Sequence, residues 1–319
     1  MSTLQPRVVV VTRRSELELL LARHGTREQV RFFLAGRGLA LEDVERRKSE
    51  LDAACRAVAA AIPGAWRRAN VLREDLDRFL FGPEDVVVVV GQDGLVANVA
   101  KYVDGQVVLG FNPAPDAYEG VLVPHRPDAA RELVRAAGEG ALACEERTMV
   151  EARLDDGQRL FALNEVFVGH RSHQSARYTI THGGASERQS SSGVVVATGT
   201  GASGWARSIH RERARAPALP APDERRLAFF VREAWPSVAT GASLTSGSLA
   251  PGDELRIVSE MGDDGVVFGD GIEGDRLAFE YGRALTIACA GRCLRFVPRG
   301  QAAAPRAPTP PVPGIRSAG

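Results

Sequence analysis

Val86-Val87-Val88-Val89-Val90-Gly91-Gln92-Asp93-Gly94-Leu95 decides how the first third of the chain folds. An unbroken valine run cannot alternate between core and solvent, so it belongs to a strand covered on both faces, as in a parallel sheet flanked by helices. The run stops at two glycines that bracket one carboxylate. Strand exits of this kind are where α/β proteins bind their ligands. Glycines let backbone N–H groups approach phosphate oxygens, and a short acidic side chain can orient a hydroxyl or accept its proton. Taken alone, a Gly-x-Asp-Gly turn is more often just a tight connection that needs φ > 0.

Upstream, Val8 to Val11 reads as a short strand. Ser15 with Glu18, and Thr26 with Gln29, have the spacing of capping boxes that open two helices. Val44, Leu51, Cys55, Val58 and Ile62 recur at steps of three, four and seven, which is one face of a long helix from Leu41 that Pro63-Gly64 closes. Val71 marks a further strand. Beyond the Gly91 turn the pattern predicts a short helix from Val96 to Tyr102 and a strand at Val107-Val108-Leu109-Gly110. Strands alternating with helices predict an open, doubly wound α/β sheet over residues 1–126.

After about Pro127 the texture changes. A helix over Ala129 to Ala137 gives way to short alternating runs at 147–154, 160–168, 176–182 and 193–197, and then to a β-rich stretch from Leu227 to Phe279. Asp155-Asp156-Gly157 and His182-Gly183-Gly184 are hairpin signals, and Pro251-Gly252-Asp253 and Asp263-Asp264-Gly265 break the later strands. Residues 127–298 thus read as an antiparallel β unit whose last segment could return to the first. Residues 299–319 are Ala/Pro-rich and read as a disordered tail.

Forty basic residues balance forty acidic ones, which gives no net drive toward nucleic acid or an anionic membrane surface. No apolar run approaches the length of a membrane span, and the start lacks a signal-peptide pattern, so the expected location is cytoplasmic. Cys55, Cys144, Cys289 and Cys293 are scattered; the last two are expected to be buried small hydrophobes. His125, His170 and His173 lack the spacing of a metal site.

Gly199-Thr200-Gly201-Ala202-Ser203-Gly204 satisfies the literal dinucleotide fingerprint, yet it follows a strand of the antiparallel half, and Pro-rich residues come after it. A Rossmann site is therefore not expected there. Thr198, Thr200 and Ser203 remain hydroxyls on a glycine-rich turn before a helix near Trp205, suited to a phosphate or a ribose. Asn164-Glu165 lies between Phe161-Ala162-Leu163 and Val166-Phe167-Val168. Neighbours on one strand face opposite ways, so one of the two needs a buried partner or a ligand, unless a strand starts there. Asp270-Gly271 reads as a hairpin turn.

In this order the motifs resemble those of the NAD kinase family, most closely its mitochondrial-type branch with that branch's bacterial relatives, over roughly residues 7–297. Val86 to Leu95 resembles the family's strand and Gly-Gly-Asp-Gly-Thr turn. Val108-Leu109-Gly110-Phe111-Asn112 resembles its Gly-x-Asn turn, and Ala162 to Val166 its Asn-Glu motif. Ser191-Ser192-Gly193 with Thr198 to Trp205 is similar to its Thr-x-Thr-Gly-Ser loop. Tyr118-Glu119-Gly120 and Val266 to Asp270 also match.

The resemblance implies an α/β N-terminal domain, a β-sandwich-like C-terminal domain and a homodimer or larger homo-oligomer. The implied activity is phosphorylation of the adenosine ribose 2′-hydroxyl of NAD or NADH by ATP, with Mg²⁺ held mainly by phosphates. It implies Asp93 as the catalytic carboxylate, and Gly91, Gln92, Gly94 and Leu95 as the phosphate turn. Asn112, Asn164, Glu165, Thr198, Thr200, Gly201, Ser203, Trp205 and Asp270 are the implied nucleotide contacts. Gln92 stands where the family has a second glycine, and Leu95 where it has threonine. These two departures leave open a kinase of another nucleoside or polyol hydroxyl, or a weakened nucleotide-binding protein.

Overall fold

The computed structural model describes residues 5–300. In chain order its elements are β1 (Arg7–Thr12), α1 (Glu16–His24), α2 (Arg27–Ala35), α3 (Leu41–Ala61), β2 (Arg67–Leu72), β3 (Asp85–Val90), α4 (Asp93–Ala100), β4 (Val107–Phe111) and α5 (Ala130–Gly138). Then follow β5 (Glu145–Leu154), β6 (Arg159–Ala162), β7 (Glu165–His170), β8 (Ala176–His182), β9 (Ala185–Ser191), β10 (Val194–Ala197) and α6 (Trp205–Arg211). The chain continues through β11 (Leu227–Val231), β12 (Ser246–Leu249), β13 (Leu255–Ser259), β14 (Gly265–Gly269), β15 (Arg276–Ala278) and β16 (Ala284–Phe296).

β2, β1, β3 and β4 lie side by side and parallel. Every residue of β3 is buried, as the valine run requires. Val58 of α3 and Leu133 and Val134 of α5 pack on Val8, Val10 and Val88, while α4 sets Leu95, Val96 and Val99 against Val9, Val87 and Val89 on the other face. Both capping boxes form. Ser15 accepts from Glu18 N–H, and Thr26 from Gln29 N–H, each with the reciprocal bond.

β16 joins the two halves. Its last residues, Arg295 and Phe296, pair in parallel with Val107 and Val108 of β4, and the strand pairs antiparallel with β5 and β13. One sheet therefore runs β2-β1-β3-β4-β16-β13-β8-β9, with β5 on β16 and β6 on β5. A separate antiparallel sheet, β12-β11-β10-β7-β14-β15, packs on its β-rich half around Val166, Tyr178, Phe229 and Ile257. The expected class, an α/β unit plus a β-sandwich-like unit, is the observed one.

Several local expectations are corrected. The helix after the Gly91 turn begins at Asp93, not at Val96, because the apolar run Leu95 to Ala100 is buried as helix. Asn164-Glu165 takes the alternative left open above, a strand start: β6 ends at Ala162 and β7 begins at Glu165, in the other sheet. Cys289 and Cys293 are half-buried rather than buried and flank an irregularity in β16. α5, grouped by sequence with the β-rich half, shares its core with α3 and the parallel strands. All but the first two residues of the tail expected over 299–319 lie outside the described residues. Among the described residues, no helix is long and apolar enough to cross a membrane.

Candidate active site

The exit of β3 is built around Asp93. Gln92 precedes the helix in an extended conformation, φ −107° and ψ 165°, so this position does not need the left-handed freedom expected of a glycine. Asp93 Oδ1 accepts from the N–H of Leu122 (2.8 Å) and of Val123 (3.1 Å), and Oδ2 accepts from the N–H of Val121 (3.1 Å). A carboxylate offers about four acceptor sites, so one on Oδ2 stays available for a hydroxyl. Leu95, expected at the phosphate turn, is instead core: it is 2% exposed and packs under Gly91. Gly94 is exposed at the first turn of α4.

Asn112 is buried, and both ends of its amide shape the following loop: Nδ2 donates to Tyr118 O (2.9 Å), and Oδ1 accepts from Ala114 N–H (2.9 Å). The Tyr118 hydroxyl in turn donates to Gly91 O at 3.2 Å. Burial, then the neighbouring Asp93 charge, pushes Tyr118 up to about 12, so it stays a neutral donor.

A second cluster forms where β6 crosses to β7. Asp270, at φ 54°, follows β14 and accepts from Leu163 N–H (3.0 Å) and Asn164 N–H (2.7 Å). Thr198 locks the same crossing from β10, its hydroxyl donating to Leu163 O at 2.5 Å and accepting from Thr200 N–H at 3.1 Å. Gly201 must be glycine, because a Cβ would collide with the Asn164 carbonyl. Ser203 donates to Thr200 O at 3.3 Å, and Trp205 stacks on Phe167 with ring centroids 5.7 Å apart.

Among the described residues, two polar groups in this cluster lack hydrogen-bond partners. Thr200 Oγ1 is buried with no hydrogen bond among the described residues. Glu165 is pushed up to about 7 by burial and then by Asp270, with no hydrogen bond among the described residues to offset it. Asp270 rises to about 6, because burial outweighs its backbone hydrogen bonds and the charge of Lys101. Groups of this kind, desolvated and unpaired, are expected where a ligand supplies the missing partners.

Lys101, which sequence reading missed, connects the two clusters. Its side chain is 4% exposed, and Nζ donates to Gly269 O (3.0 Å) and Asp275 Oδ2 (3.3 Å). It follows α4, whose first residue is Asp93, and it holds the β14–β15 connection that carries Asp270. Asp275, Ile272 and Gly274 of that connection line a cavity of about 1060 Å³ together with Gly91, Gln92 and Tyr118. Arg13, also missed, lies on this cavity and donates to Gln92 Oε1 at 2.6 Å. The Asn164–Glu165 and Thr198–Trp205 residues do not line it. The glycine-rich 199–204 segment follows a strand paired antiparallel on both sides, which is not Rossmann geometry.

An α/β sheet continued by a β-sandwich, with polar clusters on both sides of their junction, defines the two-domain NAD kinase-like fold. The chain is similar to yeast NADH kinase, solved in complex with NADH: the TM-score is 0.56 at 15% identity, covering 93% of this chain and 84% of that one. No protein-family model and no curated protein matches the chain. At this identity the likeness establishes the fold.

Proposed function

We propose that this chain transfers the terminal phosphoryl group of ATP to the adenosine ribose 2′-hydroxyl of NAD or NADH, as in the mitochondrial-type branch of the NAD kinase family. The observation that carries the reading is two groups without a hydrogen-bond partner among the described residues, Glu165 at the start of β7 and buried Thr200 after β10, on segments that Asp270 and Thr198 tie to the β6–β7 crossing. A carboxylate and a hydroxyl on segments tied to one crossing suit the hydroxyls and ring nitrogens of an adenosine. The fold shared with a kinase solved with NADH supports the same reading.

In this reading Asp93 is the catalytic residue. Its three backbone hydrogen bonds fix its orientation, and its remaining acceptor site aligns the ribose hydroxyl for attack. Phosphoryl transfer asks for little beyond positioning and charge neutralisation. Mg²⁺, carried by the donor's phosphates, would supply part of that neutralisation. Asn112 and Tyr118 shape the wall beside Asp93 rather than react.

The test is incubation with ATP, Mg²⁺ and NAD or NADH, with NADP(H) read by a specific dehydrogenase. Asp93-dependent product is expected. Product no greater than that of an Asp93→Asn control would reject the reading, and ADP release with a different acceptor would redirect it to another hydroxyl.

A further inference from the structure

The cavity beside Gly91 carries an arrangement that the family resemblance does not account for. β1 pairs in parallel with β2 so that Thr12 is level with Leu72, and with β3 so that Val11 is level with Val89. The next residues out of the sheet are Arg73, Arg13 and Gly91, in one row along its carboxyl edge. Arg13 and Arg73 both line the cavity.

Other cations on this wall are neutralised. Arg14 meets Glu74 at 2.6 Å, Arg47 meets Glu16 at 2.7 Å, and Lys48 meets Asp52 at 2.9 Å. Among the described residues, neither Arg13 nor Arg73 has a carboxylate within ion-pair distance. Arg13 is held instead by a neutral group, the Gln92 amide, at 2.6 Å. Gln92 directly precedes Asp93, so this bond places Arg13 beside the Asp93 turn. A guanidinium steered by an amide keeps its full charge and its remaining N–H donors for an anion.

We propose that Arg13, aimed by Gln92, and Arg73 bind the phosphate chain of a donor that carries two or more linked phosphates. Gln92, which departs from the family's glycine, is then the group that supplies a charged donor where a bare backbone would otherwise approach phosphate. The identity of the donor as a kinase substrate rests on the proposed function; the binding itself does not. The ligand chemistry is a linear polyphosphate, whether within ATP or free.

Calorimetry on the full chain at fixed ionic strength tests this with ATP, inorganic tripolyphosphate and AMP, using wild type, Arg13→Met, Arg73→Met and Gln92→Gly. Melting curves check that each variant is folded; both arginines are exposed. ATP and tripolyphosphate should bind, with AMP weaker by about tenfold or more. Each arginine variant should weaken ATP and tripolyphosphate about tenfold, the loss of one charge-assisted contact, with NADH affinity unchanged. Gln92→Gly should weaken them severalfold by releasing Arg13.

Tripolyphosphate binding as tightly as ATP would support the phosphate chain alone as the ligand. Tighter ATP would support the same site with an added nucleoside contact. Unchanged ATP and tripolyphosphate affinity in both arginine variants overturns the proposal, as does AMP binding equal to that of ATP. Arginine-dependent polyphosphate binding without NADP(H) formation would reject the proposed function and leave this site standing. NADP(H) formation with an unaltered donor KM in both arginine variants would do the reverse.

Discussion

At Asp93 two roles share one carboxylate: three backbone N–H groups of residues 121–123 need it, and one acceptor site is left over. Asp93→Asn offers a single oxygen, so it should lose about 1 kcal/mol of stability from an unpaired N–H, and activity should fall about 100-fold or more. Denaturant melts and initial rates separate the two losses. Glu165 sets a pH dependence. As a carboxylate raised to about 7, it accepts hydrogen bonds from a ligand's hydroxyls more strongly when ionised, so NADH affinity should rise from pH 6 to pH 8 and Glu165→Gln should flatten that rise. Stability runs the other way. Glu165 and Asp270 have folded-state values, about 7 and about 6, above their ordinary ones, so they bind protons more tightly when folded. Their contribution is complete below about pH 4 and is lost as pH rises through 6 and 7. Glu165→Gln should therefore stabilise the protein more at pH 8 than at pH 5, by about 1 kcal/mol or more, read from denaturant midpoints.

Among the elements, α4 and the β14–β15 hairpin depend on one buried ammonium. Lys101→Met removes one of the two donors to Gly269 O, leaving the Ile272 N–H, takes away the Asp275 contact, and strips Asp270 of a nearby positive charge. A loss of about 1–3 kcal/mol is expected, together with a shift of the Asp270 titration above about 6, seen by carbon-detected NMR; Lys101→Arg should keep the charge and lessen that shift. This contact also marks what the sequence could not disclose. Local signals translated well: Ser15 with Glu18 and Thr26 with Gln29 need only three residues of context, and the valine run carries its own two-sided burial. The start of α4 was misplaced because Gly91 and Gly94 read as a loop, whereas burial of Leu95 to Ala100 makes the segment helical from Asp93. Gln92 and Leu95 looked like damage to a glycine turn; the first is extended backbone, and the second is core. Lys101 and Arg13 carried no motif, since their partners lie 168 and 79 residues away in the chain.

Across the whole molecule, the two units share a sheet instead of touching through a detachable interface. β16 places Phe296, fully buried, in the same core as Val9, Val87 and Leu95, while Leu285 and Ile287 of the same strand lie between the two sheets of the β-rich half. α5, too, follows β4 in sequence but completes the α3 face of the parallel strands. The N-terminal core includes Leu294, Phe296 and Val297 from the end of the β16 segment, so it cannot outlast that strand, and unfolding should be a single cooperative transition even at this chain length. Tryptophans report on each side. Trp66 packs over Gly138 in the N-terminal unit, and Trp205 stacks on Phe167 in the C-terminal one. In a chain with Trp205 and Trp235 changed to Phe, and in one with Trp66 changed to Phe, fluorescence melts should each coincide with that chain's own circular-dichroism melt. Phe296→Ala should lower both midpoints together, removing about 3–5 kcal/mol of buried aromatic packing. If that variant melted the Trp66 side first and left the Trp205 signal in place, β16 would not couple the two units, and the sheet they share would not make them one cooperative body.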